Sequence, residues 1–271
     1  ELNLNREIRW KIVQLYRLIA GRKQFRMLNE LLFDCSIHAL GIRNYDNDVV
    51  SGEKHFVEKI LPSYFNLEKP ITIVDVGANE GSYTELLLSK FKKAQCICIE
   101  PHPITFKALQ QKLGSSAKLF NCAVGANPGS LTLYDRTDSE ASENATFYQE
   151  IISEIHEQGI VSYPVTVKTL DDLAEELGLD RIDFLKIDTE GHELEVLRGA
   201  SKLIEKGAIG ILQVEFNEMN VISRVFLRDI LNLLPGYRAY RLLPTGAIDI
   251  PKMPLKSELF GFQNIIFVPE K

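Results

Sequence analysis

No apolar run in this 271-residue chain approaches the roughly 18 residues needed to span a bilayer, which excludes a helical membrane span. The N-terminus alternates charged and apolar residues without an apolar h-region, so no secretory signal is expected and the cytoplasm is the expected location. Cysteine is scarce: Cys35, Cys96, Cys98 and Cys122. Cys96 and Cys98 share one face of a predicted strand, but no second Cys or His pair stands at zinc spacing. They therefore read as small apolar core residues. His192-Glu193 does not open a zinc helix, because Val196 occupies the second histidine position. The dinucleotide pattern G-x-G-x-x-G fails after Gly77, where Asn79 and Ser82 replace the later glycines. No Gly-Lys-Ser follows to make a P-loop. Internal repeats and low-complexity tracts are missing. A net charge of −6, from 31 basic and 37 acidic residues, argues against nucleic acid or an anionic membrane as main partner. Asn144-Ala145-Thr146 matches a glycosylation tripeptide and is expected to be a chance match.

What is present is concentrated at the ends of apolar runs. Residues 71–76 form an apolar strand that enters the turn Gly77-Ala78-Asn79-Glu80-Gly81. Glycine at such a strand exit lets backbone pass close to a ligand, since Gly77 and Gly81 carry no Cβ. Nineteen positions after Gly81, a second apolar run ends at Glu100. An acidic side chain at the tip of the neighbouring strand can accept hydrogen bonds from both hydroxyls of a ribose. Without a full set of glycines the turn is a poor cradle for pyrophosphate. An adenosine with a small zwitterionic tail fits better, and S-adenosylmethionine matches that description.

Residues 1–68 carry apolar residues at helical spacing and no convincing strand. Two or three helices are predicted there as an N-terminal extension. The stripe of Trp10, Val13, Tyr16, Arg17 and Ala20 reads as a packing face. From Pro70 strands and helices alternate, the pattern of a mostly parallel sheet covered on both faces. Strands are predicted at 71–76, 95–100, 117–122, 130–135, 163–168, 182–188 and 209–216. Helices are predicted at 81–91, 103–113, 193–205 and 220–233. The polar segment 136–160 reads as a mobile loop or a short helix over a pocket mouth. Two late strands, 237–243 and 262–268, are expected to form an antiparallel hairpin at one sheet edge. Residues 69–271 are thus read as one α/β domain.

In an open α/β sheet, ligands bind beyond the carboxyl ends of the strands. Those ends deliver Asp75 to Gly81, then Glu100, then Asn121 to Gly125. The fourth ends Lys186-Ile187-Asp188-Thr189-Glu190-Gly191-His192-Glu193, the fifth Glu215-Phe216-Asn217-Glu218. Lys186 and Asp188 share a face by strand period. Glu190 has a bland alternative as a cap for the following helix.

Five segments in order resemble the FkbM-type S-adenosylmethionine-dependent methyltransferases. They are Val74 to Gly81, Ile99-Glu100-Pro101-His102-Pro103, Ala123-Val124-Gly125, Lys168 to Leu173, and Lys186 to Ala200, the last with the specific Asp-x-Glu-Gly-x-Glu core. The resemblance implies a class I methyltransferase (Rossmann-like) fold and methyl transfer, mostly to hydroxyl oxygens of sugars, glycans or secondary metabolites. It implies that Asp75, Gly77, Ala78, Asn79 and Gly81 surround the methionine moiety, that Glu100 holds the ribose, and that Asn121 and Ala123 lie near the adenine. Asp188 and Glu190 would then stand close to the transferred methyl and the acceptor. A hydroxyl is a weak nucleophile, so Asp188, Glu190 or His192 is expected to accept its proton. Alternatively Asp188, Glu190 and Glu215 offer hard oxygen ligands for Mg²⁺. A scaffold that keeps the fold without the chemistry would show a damaged turn or missing acids, and this sequence has neither.

Overall fold

The computed structural model describes residues 5–136, 145–151, 159–251 and 253–270. The strands are β1 (Thr72–Val76), β2 (Gln95–Ile99), β3 (Lys118–Phe120), β4 (Ala123–Val124), β5 (Gly129–Arg136) and β6 (Ile160–Lys168). They continue with β7 (Ile182–Ile187), β8 (Ile209–Phe216), β9 (Tyr237–Leu243), β10 (Gly246–Asp249) and β11 (Gln263–Pro269). Eight of them form one sheet in the order β10-β9-β11-β8-β7-β1-β2-β3. β3, β2, β1, β7 and β8 run parallel. β11 is antiparallel to both β8 and β9, and β10 is antiparallel to β9. From β1 the chain winds outward through β2 and β3, then returns to β7 and winds the other way. That reversal opens a crevice at the carboxyl ends of β1 and β7.

The central strands are apolar nearly throughout because helices cover both faces. The helices are α1 (Arg6–Ala20), α2 (Arg26–Ala39), α3 (Glu53–His55), α4 (Ser82–Lys90), α5 (Pro103–Leu113) and α6 (Leu170–Leu177). They continue with α7 (Glu193–Arg198), α8 (Ser201–Glu205), α9 (Met219–Ser223), α10 (Leu227–Leu233) and α11 (Pro254–Ser257). On one face Val74, Val76, Leu185, Ile187 and Leu212 pack against Leu173, Val196, Leu203 and Ile230. On the other, Ile73, Phe184 and Ile211 meet Leu87 and Phe91, together with Phe56, Val57 and Leu61 from the turns that continue α3. So the last part of the N-terminal region contributes core side chains to the sheet. None of the described helices is long and apolar enough to cross a membrane.

Several expectations change at this level. The helix predicted over 193–205 is two helices, because the chain bends where Gly199 passes Gly125. A Cβ on Gly199 would stand 2.1 Å from the Gly125 carbonyl oxygen. The helix predicted over 220–233 is likewise broken, at Arg224, whose φ is +59°. The two late strands do pair antiparallel, but β11 inserts between β8 and β9 and the edge strand is β10. β6 lies between β4, to which it runs parallel, and β5, to which it is antiparallel, in a separate three-stranded sheet. Trp10, Val13 and Tyr16 are exposed, and only Ala20 of that stripe is buried. Helical periodicity marked an apolar face without supplying a neighbour to cover it. Of the segment 136–160, residues 137–144 and 152–158 lie outside the described residues, and so does Asn144 of the tripeptide.

Candidate active site

The carboxyl ends of β1, β2, β7 and β8 border two connected chambers. The narrow one, about 60 Å³, is walled by Asn79, Glu100, Pro101, Thr105, Leu133 and Phe147. The wide one, about 650 Å³, is walled by Asp46, Asp48, Glu53, Glu80, Tyr83, Lys186, Glu215, Asn217 and Glu218. Gly77, Asn79, Asp188 and Glu190 border both.

In the narrow chamber Glu100 is buried, and each carboxylate oxygen accepts one backbone N–H. Oε2 receives Asn79 N at 3.0 Å and Oε1 receives His102 N at 2.8 Å. Burial pushes its carboxyl up to about 7, against the lowering effect of those two bonds. Each oxygen has two lone pairs, so acceptor capacity remains for a diol. Leu133, Ala145 and Phe147 add apolar wall, the surface an adenine needs. Asn79 holds the turn at φ +49°.

The glycines owe their identity to the fold rather than to a ligand. Gly77 has φ +81°, and a Cβ there would lie 1.7 Å from the Asp188 carbonyl oxygen. A Cβ on Gly81 would press on Leu109 and Leu113 of α5. Ala78 borders the wide chamber. Asp75 lies beneath the turn, its Oδ2 accepting from Thr84 Oγ1 at 2.6 Å. Its Oδ1 has no partner among the described residues. Asn121 and Ala123 border neither chamber. Asn121 donates to the carbonyls of Glu100 and Pro101, bracing the narrow wall from behind. Ala123 is buried in a cluster with Leu133 and Val167.

Beyond β7, the Lys186 ammonium donates to Asp188 Oδ2 at 2.7 Å and lies 5.0 Å from the Tyr83 ring centroid. Burial acts to lower the Lys186 pKa, but Asp188, Asp75, Glu53 and Glu215 outweigh it and hold the group well above its ordinary value. Asn217 donates from one amide nitrogen to Glu190 Oε2 at 3.0 Å and to Glu215 Oε1 at 2.9 Å. Oxygens of Asp188, Glu190 and Glu215 all lie within 4.8 Å of one another. Burial, then the charge of Asp188, pushes Glu190 up to about 8, and the same two causes hold Glu215 well above the carboxylate range. Glu190 also adopts φ +51°, a conformation rare outside glycine.

His192 stands apart from this group. It is buried, borders neither chamber, and packs against the rings of Phe147 and Tyr148. Neither ring nitrogen has a hydrogen-bond partner among the described residues, and burial lowers its pKa to about 4. Glu193 Oε1 accepts from Thr189 N, Thr189 Oγ1 and Gly191 N, while Oε2 accepts from Asn220. Glu193 therefore shapes the β7–α7 loop that carries Asp188 and Glu190. Glu53, which the sequence reading missed, borders the wide chamber and accepts from Gln213 Nε2 at 2.9 Å. Gln213 in turn accepts a hydrogen bond from the Tyr83 hydroxyl.

A parallel sheet with its crevice at the β1/β7 reversal, an acid at the tip of β2 and an antiparallel strand inserted beside β8 defines a class I, S-adenosylmethionine-dependent methyltransferase. Residues 75–242 match the Methyltransferase FkbM domain, and the chain belongs to that family. It is 28% identical over 191 residues to 2-O-methyltransferase NoeI of Sinorhizobium fredii, covering 66% of this chain and 78% of that protein. It is 25% identical over 190 residues to hexuronic acid methyltransferase AglP of Haloferax volcanii, covering 68% of each. The solved structure of plantazolicin methyltransferase BpumL with a monoazolic desmethylPZN analog and S-adenosylhomocysteine aligns with 98% of this chain and 99% of its own, at 10% identity and a TM-score of 0.44.

Proposed function

We propose that this protein transfers a methyl group from S-adenosylmethionine to a hydroxyl oxygen of a sugar, glycan or secondary metabolite. The observation that carries the reading is that Asp188 and Glu190 border both chambers, where donor and acceptor must meet. Glu100 in the narrow chamber suits the ribose hydroxyls, and the turn from Gly77 to Asn79 suits the methionine end. When bound, the cofactor supplies an electrophilic methyl on a sulfonium. What remains for the protein is to hold an acceptor oxygen about 3 Å from that carbon, in line with the bond that breaks.

Asp188 is the residue to which we assign the acceptor. Lys186 fixes its Oδ2, and Oδ1 has no hydrogen bond among the described residues. Oδ1 is thus available to orient a hydroxyl and take its proton as the C–O bond forms. Glu190, raised to about 8, is a proton holder at neutral pH rather than the first acceptor of one. His192 acts at one remove, by positioning Phe147. The three clustered carboxylates support a second reading, in which Asp188, Glu190 and Glu215 hold Mg²⁺ and lower the pKa of the acceptor hydroxyl. Lys186 already places a cation on Asp188, which favours the base.

We assign residues 69–271 to the methyltransferase domain and residues 1–68 to a helical extension whose Glu53 reaches the cleft. Screening hydroxylated glycans and metabolites with methyl-labelled cofactor tests the activity, and EDTA separates the two roles of the acids. Inhibition reversed by Mg²⁺ assigns the metal. Transfer to nitrogen or carbon alone refutes O-methylation.

A further inference from the structure

The charge of this chain is unevenly placed. Between Asn5 and Arg26 there are seven basic residues and one acidic, Glu7, whereas all other positions together hold 24 basic against 36 acidic. The net charge of −6 is therefore the balance of a strongly basic helix–turn and a strongly acidic body. α1 also presents an apolar stripe. Ile8, Ile12, Leu15 and Ile19 recur at i, i+4, i+7 and i+11, which places them on one face of the helix. They are 48%, 52%, 60% and 56% exposed. At 100° per residue, Arg9 and Lys11 border this stripe on either side, and Arg6 and Arg17 lie opposite. Lys11 pairs with Glu7, and Arg26 with Glu30. Arg6, Arg9, Arg17, Arg22 and Lys23 have no ion pair among the described residues. In α2, Met27, Leu31 and Phe33 are exposed as well.

We propose that α1 and the turn that follows it dock this enzyme on an anionic lipid surface. An apolar stripe flanked by arginine and lysine lies in the headgroup boundary, with its apolar side chains buried and its cations against lipid phosphates. Fifteen residues are too few to span the bilayer, so the helix lies in the plane. A second copy of this chain is a poorer occupant. Stacking two such stripes brings two basic segments together, which costs like-charge repulsion. The acidic body is repelled by the same surface, so α1 makes the contact and the cleft stays clear of the headgroups. From α2 the chain runs directly to Tyr45 and Asp48 on the cleft wall, which holds the wide chamber close to the lipid surface.

Flotation with vesicles of phosphatidylcholine alone, or of phosphatidylcholine and phosphatidylglycerol in equal parts, tests the assignment on the full chain. We expect the protein to float with the anionic vesicles, to stay behind with the neutral ones, and to be released by high salt. Arg9→Glu/Arg17→Glu should weaken partitioning at least tenfold, at about fivefold for each charge removed. Ile12→Asp/Leu15→Asp should do the same with little change in melting temperature, because both side chains are more than half exposed in the folded chain. Equal flotation with both vesicles, no flotation, or variants that float like the wild type each overturn the proposal. Light scattering that shows a dimer, lost in Ile12→Asp/Leu15→Asp, reassigns the stripe to a second copy.

Discussion

The two chambers solve the problem of a buried carboxylate differently. The narrow one shares Asp188 and Glu190 with its neighbour and has one acid of its own, Glu100, whose two oxygens are held by backbone N–H groups of fixed position. In the wide one eight carboxylates face one lysine, and four of them are held by side chains: Lys186 on Asp188, Asn217 between Glu190 and Glu215, and Gln213 on Glu53. Backbone-held groups cannot rearrange without unfolding a strand end, so the narrow chamber is built for one shape. Side-chain-held groups can exchange partners and protons, which is what a reaction centre needs. Affinity for the cofactor should reside on one side and turnover on the other.

The hardest way to break this division is at the glycine between the chambers. Gly77→Val places a branched side chain where even a Cβ would be 1.7 Å from the Asp188 carbonyl, at φ +81°. We expect a loss of at least about 3 kcal/mol, with no cofactor-dependent rise in melting temperature in whatever folded fraction survives. A stable variant that still binds S-adenosylhomocysteine would show that β1 and β7 need not meet there.

Next comes Asp188→Asn, which should lower methyl transfer about 10²-fold while S-adenosylhomocysteine binds within a few-fold of wild type. Equal loss of affinity and turnover would erase the distinction between the chambers. Glu100→Ala should do the reverse and weaken binding by about 1.5–3 kcal/mol, as for hydrogen bonds to a charged group. Calorimetry on the folded variant decides this.

The pH dependence sharpens the same contrast. Burial raises Glu100 from an ordinary 4.5 to about 7 in the folded protein. Its contribution to the stability of the ligand-free protein is therefore complete below about 4.5 and lost as pH rises through about 7. Ribose hydroxyls donate to the ionised form, so affinity for S-adenosylhomocysteine should rise with pH across that window, by at most about tenfold per unit. In Glu100→Gln the slope should disappear. The smallest effect is expected at His192→Phe, which keeps an aromatic ring against Phe147 and removes two nitrogens without a hydrogen-bond partner among the described residues. Transfer should fall by no more than about threefold, within the small effect typical of volume-conserving swaps. A drop as large as that of Asp188→Asn would return His192 to catalysis.

β1, β2, β7 and β8 were legible because strands buried on both faces read as short apolar runs that stop at polar residues. Glu100 and Asp188 were legible for the same reason, as the polar residues where such runs stop. Glu53 was not. It lies in a region without strand periodicity, and what brings it to the cleft is a hydrogen bond to Gln213, 160 positions away. The break at Gly199 escaped because it comes from contact with Gly125, and helical spacing continues across it. Asn121 and Ala123 were assigned by resemblance to positions beside the adenine, whereas side-chain geometry puts them behind the wall. Periodicity reports which face an element buries and is silent about which distant residue it meets.

The position of β11 has a consequence for how the chain comes into being. Residues 263–269 occupy the slot between β8 and β9, with Ile265 and Phe267 in the core. A nascent chain leaving the ribosome can pair β1, β2, β7 and β8 early, yet β9 has no place beside them until residues 263–269 arrive. Until then β8 and β9 each show an unpaired edge, the kind of surface on which incomplete chains associate. Closure of the sheet is therefore a late, long-range event, and a chain cut short before Gln263 is left with an open edge at β8.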